Sequence, residues 1–443
     1  MTPATQTRGF SDRLSALLRG HSIREMAALY SVHIASYVLP LLTVTYVARV
    51  LGPREWGLLS FFHSFGLYAS LAVEYGFNFS ATREVARNRD DRHARSATLG
   101  DVQAAKLLLS VLLALALIPA YFALPLFSEN PRMFAAAVLY ALAQGFSMVW
   151  YYQGIGELKK LASVEVLSRA AASALTFAVV RSSGDGWWMI LLNAVACVVT
   201  AAIGLKWALR DTEFRMPSLA GGRRVLREGF SIFLFRGASS LYGAANGFLL
   251  GLMAAPQLVG YYGGAERAYR GFLALLHPLT QFLYARVNYT IGRAQESGTG
   301  ETNRIARQTM LAMIAAGAGL GTVCWAAAPW IIRILLGPGF EPAVPVLRIF
   351  ALLLAVDSVG TALGIQWMLP LGLDRQYTAI IVSAGLANLI LAALLAPRFG
   401  HVGMALAVLT AEGIVAAGCF FYLRYRKLDP FRVAESRPVE VGS

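Results

Sequence analysis

Charge-free apolar stretches about as long as a bilayer is thick recur along the whole chain, and nothing else in the sequence restricts the fold so strongly. The windows Met26–Ala48, Leu107–Ser128, Met133–Gly156, Gly186–Leu205, Gly237–Ala265, Gln308–Ile332 and Gln376–Pro397 contain no Asp, Glu, Lys or Arg, and Trp56–Val73 is nearly as long. A helix needs about 20 apolar residues to cross the ~30 Å hydrocarbon core. Inside that core a helix satisfies its backbone N–H and C=O groups within its own segment. Further segments become spans once a few ionisable residues are accepted: Glu165 and Arg169 in Ser163–Val180, Arg236 near the start of the seventh span, Glu266, Arg267 and Arg270 in Val259–Ala285, Asp357 in Val346–Pro370, and Glu412 in Val402–Leu423. The chain reads as an all-α integral membrane protein of about twelve transmembrane helices. They begin near residues 26, 55, 103, 133, 162, 186, 230, 259, 307, 346, 377 and 402.

Composition excludes the soluble alternatives. Of 443 residues 57% are hydrophobic and 14% charged, where a soluble domain carries about a quarter charged. The net charge of +14 is spread in short basic clusters between apolar runs. That is the pattern of membrane topology, and no nucleic-acid partner is expected. With both termini on the cytoplasmic side, inner Lys and Arg outnumber outer ones by roughly four to one. Outer loops such as Arg49–Glu55, Ser182–Gly186 and Leu336–Pro342 are too short for an extramembrane domain. The first 22 residues lack the apolar core of a cleavable signal. Cys197, Cys324 and Cys419 stand alone in apolar runs, without metal-ligand spacing.

The polar stretch Arg210–Arg227 divides the chain in two. The expected organisation is a cytoplasmic segment 1–22, a six-helix bundle 23–209, a cytoplasmic linker 210–228, a second six-helix bundle 229–424, and a cytoplasmic tail 425–443. Pro53-x-x-x-Gly57 opens span two and Pro256-x-x-x-Gly260 opens span eight, 203 residues later. Internal repeats of this kind are typical of transporters whose halves rock against each other.

An ionisable side chain near the bilayer centre costs roughly 3 kcal/mol or more, so it faces a cavity or a partner. Arg267 lies ~14 Å into span eight, Arg270 one turn further along nearly the same face, and Arg236 roughly 10 Å into span seven. Glu266 and Arg270, spaced i,i+4, are able to neutralise one another, which leaves Arg267 and Arg236 without local partners. Guanidinium groups match phosphate oxygens in a bidentate fork, so this cluster reads as a diphosphate site. Glu74, Asp357 and Glu412 either bind a coupling proton or cation or act as counter-charges for the arginines. His33 and His63 read as packed core histidines before proton relays. No phosphate loop, nucleophile elbow or His-Glu-x-x-His is present, so neither an enzyme, a metal nor a cofactor is expected.

The stretch YVLPLLTVTYVARVLGPREWGLLSF (Tyr37–Phe61) closely resembles the first two helices of O-antigen flippases, in the polysaccharide transporter family of the multidrug/oligosaccharidyl-lipid/polysaccharide exporter superfamily. VEYGFNFSATREVAR (Val73–Arg87), WYYQGIGELKK (Trp150–Lys160), LLGPGFEPAVPVLRI (Leu335–Ile349) and GIQWMLPLG (Gly364–Gly372) resemble later parts of the same family. The resemblance implies two six-helix bundles in a V around a central cationic cavity. It implies an undecaprenyl-diphosphate-linked oligosaccharide as cargo, moved by alternating access from the cytoplasmic to the periplasmic leaflet of a bacterial inner membrane for O-antigen or exopolysaccharide synthesis. The other expected partners are membrane lipids, a polysaccharide polymerase and a chain-length regulator. By position, Arg236, Arg267 and Arg270 fit the cavity and Arg49 borders it, while Glu74, Asn78 and Arg83 fall at its inner mouth. Drug antiporters of the superfamily often carry an acidic cation site in span one; Met26–Ala48 has no carboxylate, which speaks against a drug/cation antiporter. A peptidoglycan-precursor flippase usually has extra helices, and a polytopic polysaccharide-assembly enzyme needs a large acidic outer loop.

Overall fold

A computed structural model describes residues 21–213, 217–243, 246–292 and 299–428, with side chains except at 21–40, 231–232, 234–243, 292 and 299–302. Within these residues there are helices and no strands. In chain order they are α1 His21–Glu74, α2 Phe77–Arg87, α3 Arg92–Ala123, α4 Pro125–Ser128, α5 Pro131–Gly145, α6 Val149–Gly154, α7 Leu158–Val179, α8 Gly186–Asp211, α9 Leu219–Gly243, α10 Asn246–Met253, α11 Pro256–Gly292, α12 Thr299–Leu335, α13 Ala343–Leu363 and α14 Asp374–Tyr425. Eight helical stretches among the described residues are long and apolar enough to cross a membrane. Gly52 (φ 71°) and Gly400 (φ 58°) break α1 and α14 each into two helices; both hold a left-handed φ that an L side chain resists.

The pattern of exposure is that of a protein dissolved in lipid. On α3, Leu107, Val111, Leu115, Ile118 and Phe122 form one exposed stripe at helical spacing. In water such a stripe would be an interaction patch; in hydrocarbon it is the ordinary outer face of a span. The buried faces carry the small and polar residues instead: Ala104, Ala105, Asp101 and Lys106 on the same helix. Local signals start the helices where the chain needs them. The Asp91 carboxylate accepts from the Ala94 N–H at 2.9 Å to cap α3, and prolines at the first turns of α4 and α5 need no N–H partner.

Contacts gather the turns at two ends. At the Gly52 end, the Tyr46 hydroxyl donates to the Val180 carbonyl at 2.7 Å, Arg49 donates to the Ile334 carbonyl at 2.5 Å, and His401 meets the Pro342 carbonyl at 3.0 Å. At the opposite end, Arg92 donates to the carbonyls of Arg210 and Thr212, and Arg95 to the Tyr151 hydroxyl. Helix α9 begins inside the stretch expected as a linker. Its first turns dock on α3, with Gly221 against Asp101, Gly222 against Ala104, and Arg224 donating to Asp101 at 2.6 Å. The basic residues there read as loop because their acidic partner lies far away in sequence.

The main contact between the two halves of the sequence is α1 against α11, and it is reciprocal. A Cβ on Gly57 would strike the Pro256 carbonyl oxygen, and a Cβ on Gly260 would strike that of Pro53. The two Pro-x-x-x-Gly motifs therefore lie on each other, each glycine admitting the other's backbone. Gly57→Ala is expected to cost about 2 kcal/mol of stability, as overpacking does. Gly271→Ala, with nothing within 4 Å of the new carbon, should cost nothing. Thermal unfolding of detergent-solubilised protein measures both; equal midpoints would mean the motif contact is looser than it stands here.

Candidate functional site

Three ionisable side chains reach the same depth. Counted from the Gly52 end, His63 on α1, Arg267 on α11 and Arg169 on α7 each lie about eleven residues along their helices, roughly 16 Å at 1.5 Å per residue. That is half of a ~30 Å hydrocarbon core. His63 stacks on Tyr140 with ring centroids 5.2 Å apart, and Arg267, Arg169 and Arg270 all lie within electrostatic reach of it.

On α11, Glu266, Arg270 and His277 share a stripe, because steps of four and seven return to one face. Leu275 and Phe282, 66% and 63% exposed, occupy the face turned away from it. Arg270 donates to Glu266 at 2.7 Å, yet 56% of its side chain stays open. A charged group on the face turned from the exposed apolar residues escapes part of the cost of facing hydrocarbon. Arg267, one position round the helix, places its guanidinium 4.6 Å from the ring centroid of Trp56, which is fully buried on α1. The partner that the local sequence does not supply for Arg267 is thus a π face on the other half of the chain.

Helix α7 repeats the arrangement in the first half. Glu165 and Arg169 stand one turn apart, and Arg169 donates at 2.8 Å. Their stripe includes the buried Ala172 and Thr176 and is opposite Leu167, which is 72% exposed. The pair is half-open, with side-chain exposures of 45% and 34%. Tyr140 and Cys197 are its neighbours.

The other expected site residues are dispersed. Arg236 belongs to α9, and its side chain lies outside the described residues, as does that of His33. Arg49 is apart from the mid-depth layer, at the Gly52 end, where its bond to Ile334 ties α1 to α12. Asn78 donates to Glu74 at 2.6 Å, and Arg83 is exposed on α2. Glu74 lies within reach of Lys106, a buried residue singled out by no sequence motif. The Lys106 ammonium donates to the Ser147 carbonyl at 2.9 Å, with the rings of Phe77 and Trp150 6.0 and 5.9 Å away. Lys106→Ala leaves that carbonyl and Glu74 without this cation. It is expected to destabilise the protein by about 3 kcal/mol, read as a lower unfolding midpoint in detergent; an unchanged midpoint would remove the lysine from the core. Asp357 on α13 sits deeper in the second half, within reach of His277, and shares Tyr269 and Tyr377 with Glu412. Among the described residues no group of three His, Cys, Asp or Glu is placed to hold a metal.

Sequence reading places Arg267, Arg270 and Glu266 in the site and treats Arg169 and Glu165 only as charges inside a span. Their signal was the same: an i,i+4 ion pair in the middle of a span. What sequence lacked was the neighbour His63, which makes the two pairs parts of one layer.

The chain is a multi-pass membrane protein. It is 29% identical over 411 residues to a protein of Escherichia coli (strain K12) named as a candidate O-antigen transporter, covering 91% of this chain and 97% of that one. A protein of the same name from Shigella dysenteriae is 23% identical over 398 residues, covering 88% and 97%. In fold it is similar to the lipid II flippase MurJ in an inward closed conformation (TM-score 0.68, 14% identity, 90% of this chain and 87% of that one). It is also similar to an inward-facing multidrug resistance MATE family transporter of the MOP superfamily (TM-score 0.66, 14% identity, 89% and 95%). Residues 22–284, more than half of the chain, match the family of polysaccharide biosynthesis proteins, and the chain belongs to that family.

Proposed function

We propose that the protein is a flippase that carries an undecaprenyl-diphosphate-linked oligosaccharide across a bacterial inner membrane, from the cytoplasmic to the periplasmic leaflet. The observation that carries this reading is the mid-depth layer: Arg267 and the open Glu266–Arg270 pair at half the span length. A lipid-linked cargo presents a diphosphate at the membrane surface, and fixed guanidinium groups in a low-dielectric space supply its counter-charge. Curated relatives named for O-antigen transport support the cargo class. Both termini lie in the cytoplasm in this reading, following the Lys and Arg bias of the loops. About twelve spans form two six-helix bundles, 23–209 and 229–424, joined through 210–228 and flanked by cytoplasmic segments 1–22 and 425–443. A polysaccharide polymerase and a chain-length regulator act on the delivered product.

Alternating access is the proposed mechanism. The halves meet at the Gly52 end through the paired Pro-x-x-x-Gly motifs and through Arg49, and further along α1, around the depth of His63 and beyond, through Phe248, which lies against Phe61, Phe65 and Tyr68 with centroids 5.4, 5.8 and 6.2 Å away. These contacts are the closed gate of an inward-directed state. Arg49 acts at that gate in this reading, and Glu74, Asn78 and Arg83 mark the cytoplasmic mouth. Reconstitution tests the function: liposomes holding the purified chain and a defined undecaprenyl-diphosphate oligosaccharide should expose about half of the inner-leaflet glycan to an external lectin, an even split between leaflets. Glycan that stays inaccessible, with the chain correctly inserted, would contradict it.

A further inference from the structure

The first half of the chain carries its own ion pair in the same layer, and nothing in the proposed function so far uses it. Glu165–Arg169 and Glu266–Arg270 share four features. Each pair is spaced i,i+4 and closed by one short bond, 2.8 and 2.7 Å long. Both stand on the face of their helix turned from the exposed apolar residues and remain half-open, and the arginine of each lies within reach of His63. Helix α11 packs against the part of α1 that carries this histidine, through Trp56 and Gly57, and α7 packs against the part before Gly52, through Tyr46 on Phe177.

A purely structural ion pair would be closed off. Replacing a buried pair with apolar residues is often neutral or stabilising, and exposed i,i+4 pairs contribute only about 0.3–0.5 kcal/mol. Two pairs kept at mid-depth on open faces are poorly explained as supports for the fold. They are well explained as arginines kept neutralised until an anion arrives: each carboxylate occupies one edge of a guanidinium fork that a phosphate would otherwise take.

We propose that Arg169 is a second anion-holding side chain of the cavity, and that Glu165 and Glu266 hold Arg169 and Arg270 in reserve, yielding them to an anionic diphosphate on binding. This rests on the diphosphate reading of the cargo. The head group is then held from both halves at once, by Arg169 on α7 and by Arg267 and Arg270 on α11. The carboxylates retake their arginines on the outer side and assist release.

The test is titration of the detergent-purified chain with farnesyl diphosphate, a short isoprenoid diphosphate, at fixed ionic strength. Glu165→Gln alone should tighten binding about threefold or more, because it frees Arg169 from its competitor. Glu165→Gln combined with Arg169→Gln removes the pair without leaving a bare charge and should weaken binding about tenfold, as loss of one charge-assisted bond does. Monodispersity and unfolding midpoint check that both variants are folded. A structural pair would lower the midpoint and leave affinity alone. Wild-type binding matched by both variants, or weakened by Glu165→Gln, overturns the role of Arg169 while leaving the diphosphate reading standing. Failure of the wild-type chain to bind overturns both.

Discussion

Export of surface polysaccharide is expected to fall below detection when Arg267 or Arg270 is replaced by glutamate, with membrane insertion unchanged. Insertion is indifferent because a carboxylate and a guanidinium carry similar costs at mid-span, ~3 kcal/mol on insertion scales. Transport is not indifferent. Two unit charges 4 Å apart interact by about 4 kcal/mol at the effective dielectric of a partly wet site, and charge reversal turns that attraction into repulsion. A change of that size is more than a thousandfold in cargo occupancy. The two variants differ in what else they disturb. Arg267→Glu also removes the cation from the face of Trp56, so it perturbs the α1–α11 contact. Arg270→Glu sets two carboxylates one turn apart on α11. Arg270→Gln paired with Glu266→Gln avoids that repulsion and isolates the loss of the cation; a strong export defect is expected there too. Normal export by both charge reversals, at wild-type protein levels, would take the arginines out of the site.

The second large effect concerns the gate. A carbon added at Gly247 on α10 would stand 3.8 Å from the Ser64 Cβ on α1. A disulfide needs a Cβ separation of about 3.5–4.5 Å. In a chain whose Cys197, Cys324 and Cys419 are replaced by serine or alanine, Ser64→Cys with Gly247→Cys is expected to cross-link under mild oxidation. The bond ties the two halves about midway along the part of α1 after Gly52, beside His63, where α1 and α10 already touch, and should arrest transport almost completely. Reductant should restore it. Each single variant serves as the control and should remain active. Full activity with the cross-link formed would mean that α1 and α10 do not part during transport, and alternating access by rocking of the halves would be wrong.

The spans were legible because hydrocarbon imposes a length and an apolar composition that few other folds share. Arg267 and Arg270 stood out for the same reason, as charges inside an apolar run. The Pro-x-x-x-Gly echo was visible as a repeat, but its meaning was not. Only the fold lays Gly57 against Pro256 and Gly260 against Pro53. The partner of Arg267 was hidden because Trp56 lies more than two hundred residues earlier in the chain. Lys106 went unnoticed because it borders the apolar window Leu107–Ser128 and reads as a flanking charge, whereas it is buried with its ammonium on the Ser147 carbonyl. The start of α9 at Leu219 was hidden in a stretch of glycine and arginine that reads as loop, until Asp101 is brought beside Arg224.

Translocation itself is measured most directly in a strain lacking this chain. Lipid-diphosphate-linked glycan is quantified on each face of the inner membrane with a sugar-specific probe that does not cross it. The expected result is accumulation on the cytoplasmic leaflet together with loss of surface polysaccharide. Linked glycan that reaches the periplasmic leaflet at normal levels but stays unpolymerised would place the chain after translocation, in assembly, and would contradict the flippase assignment.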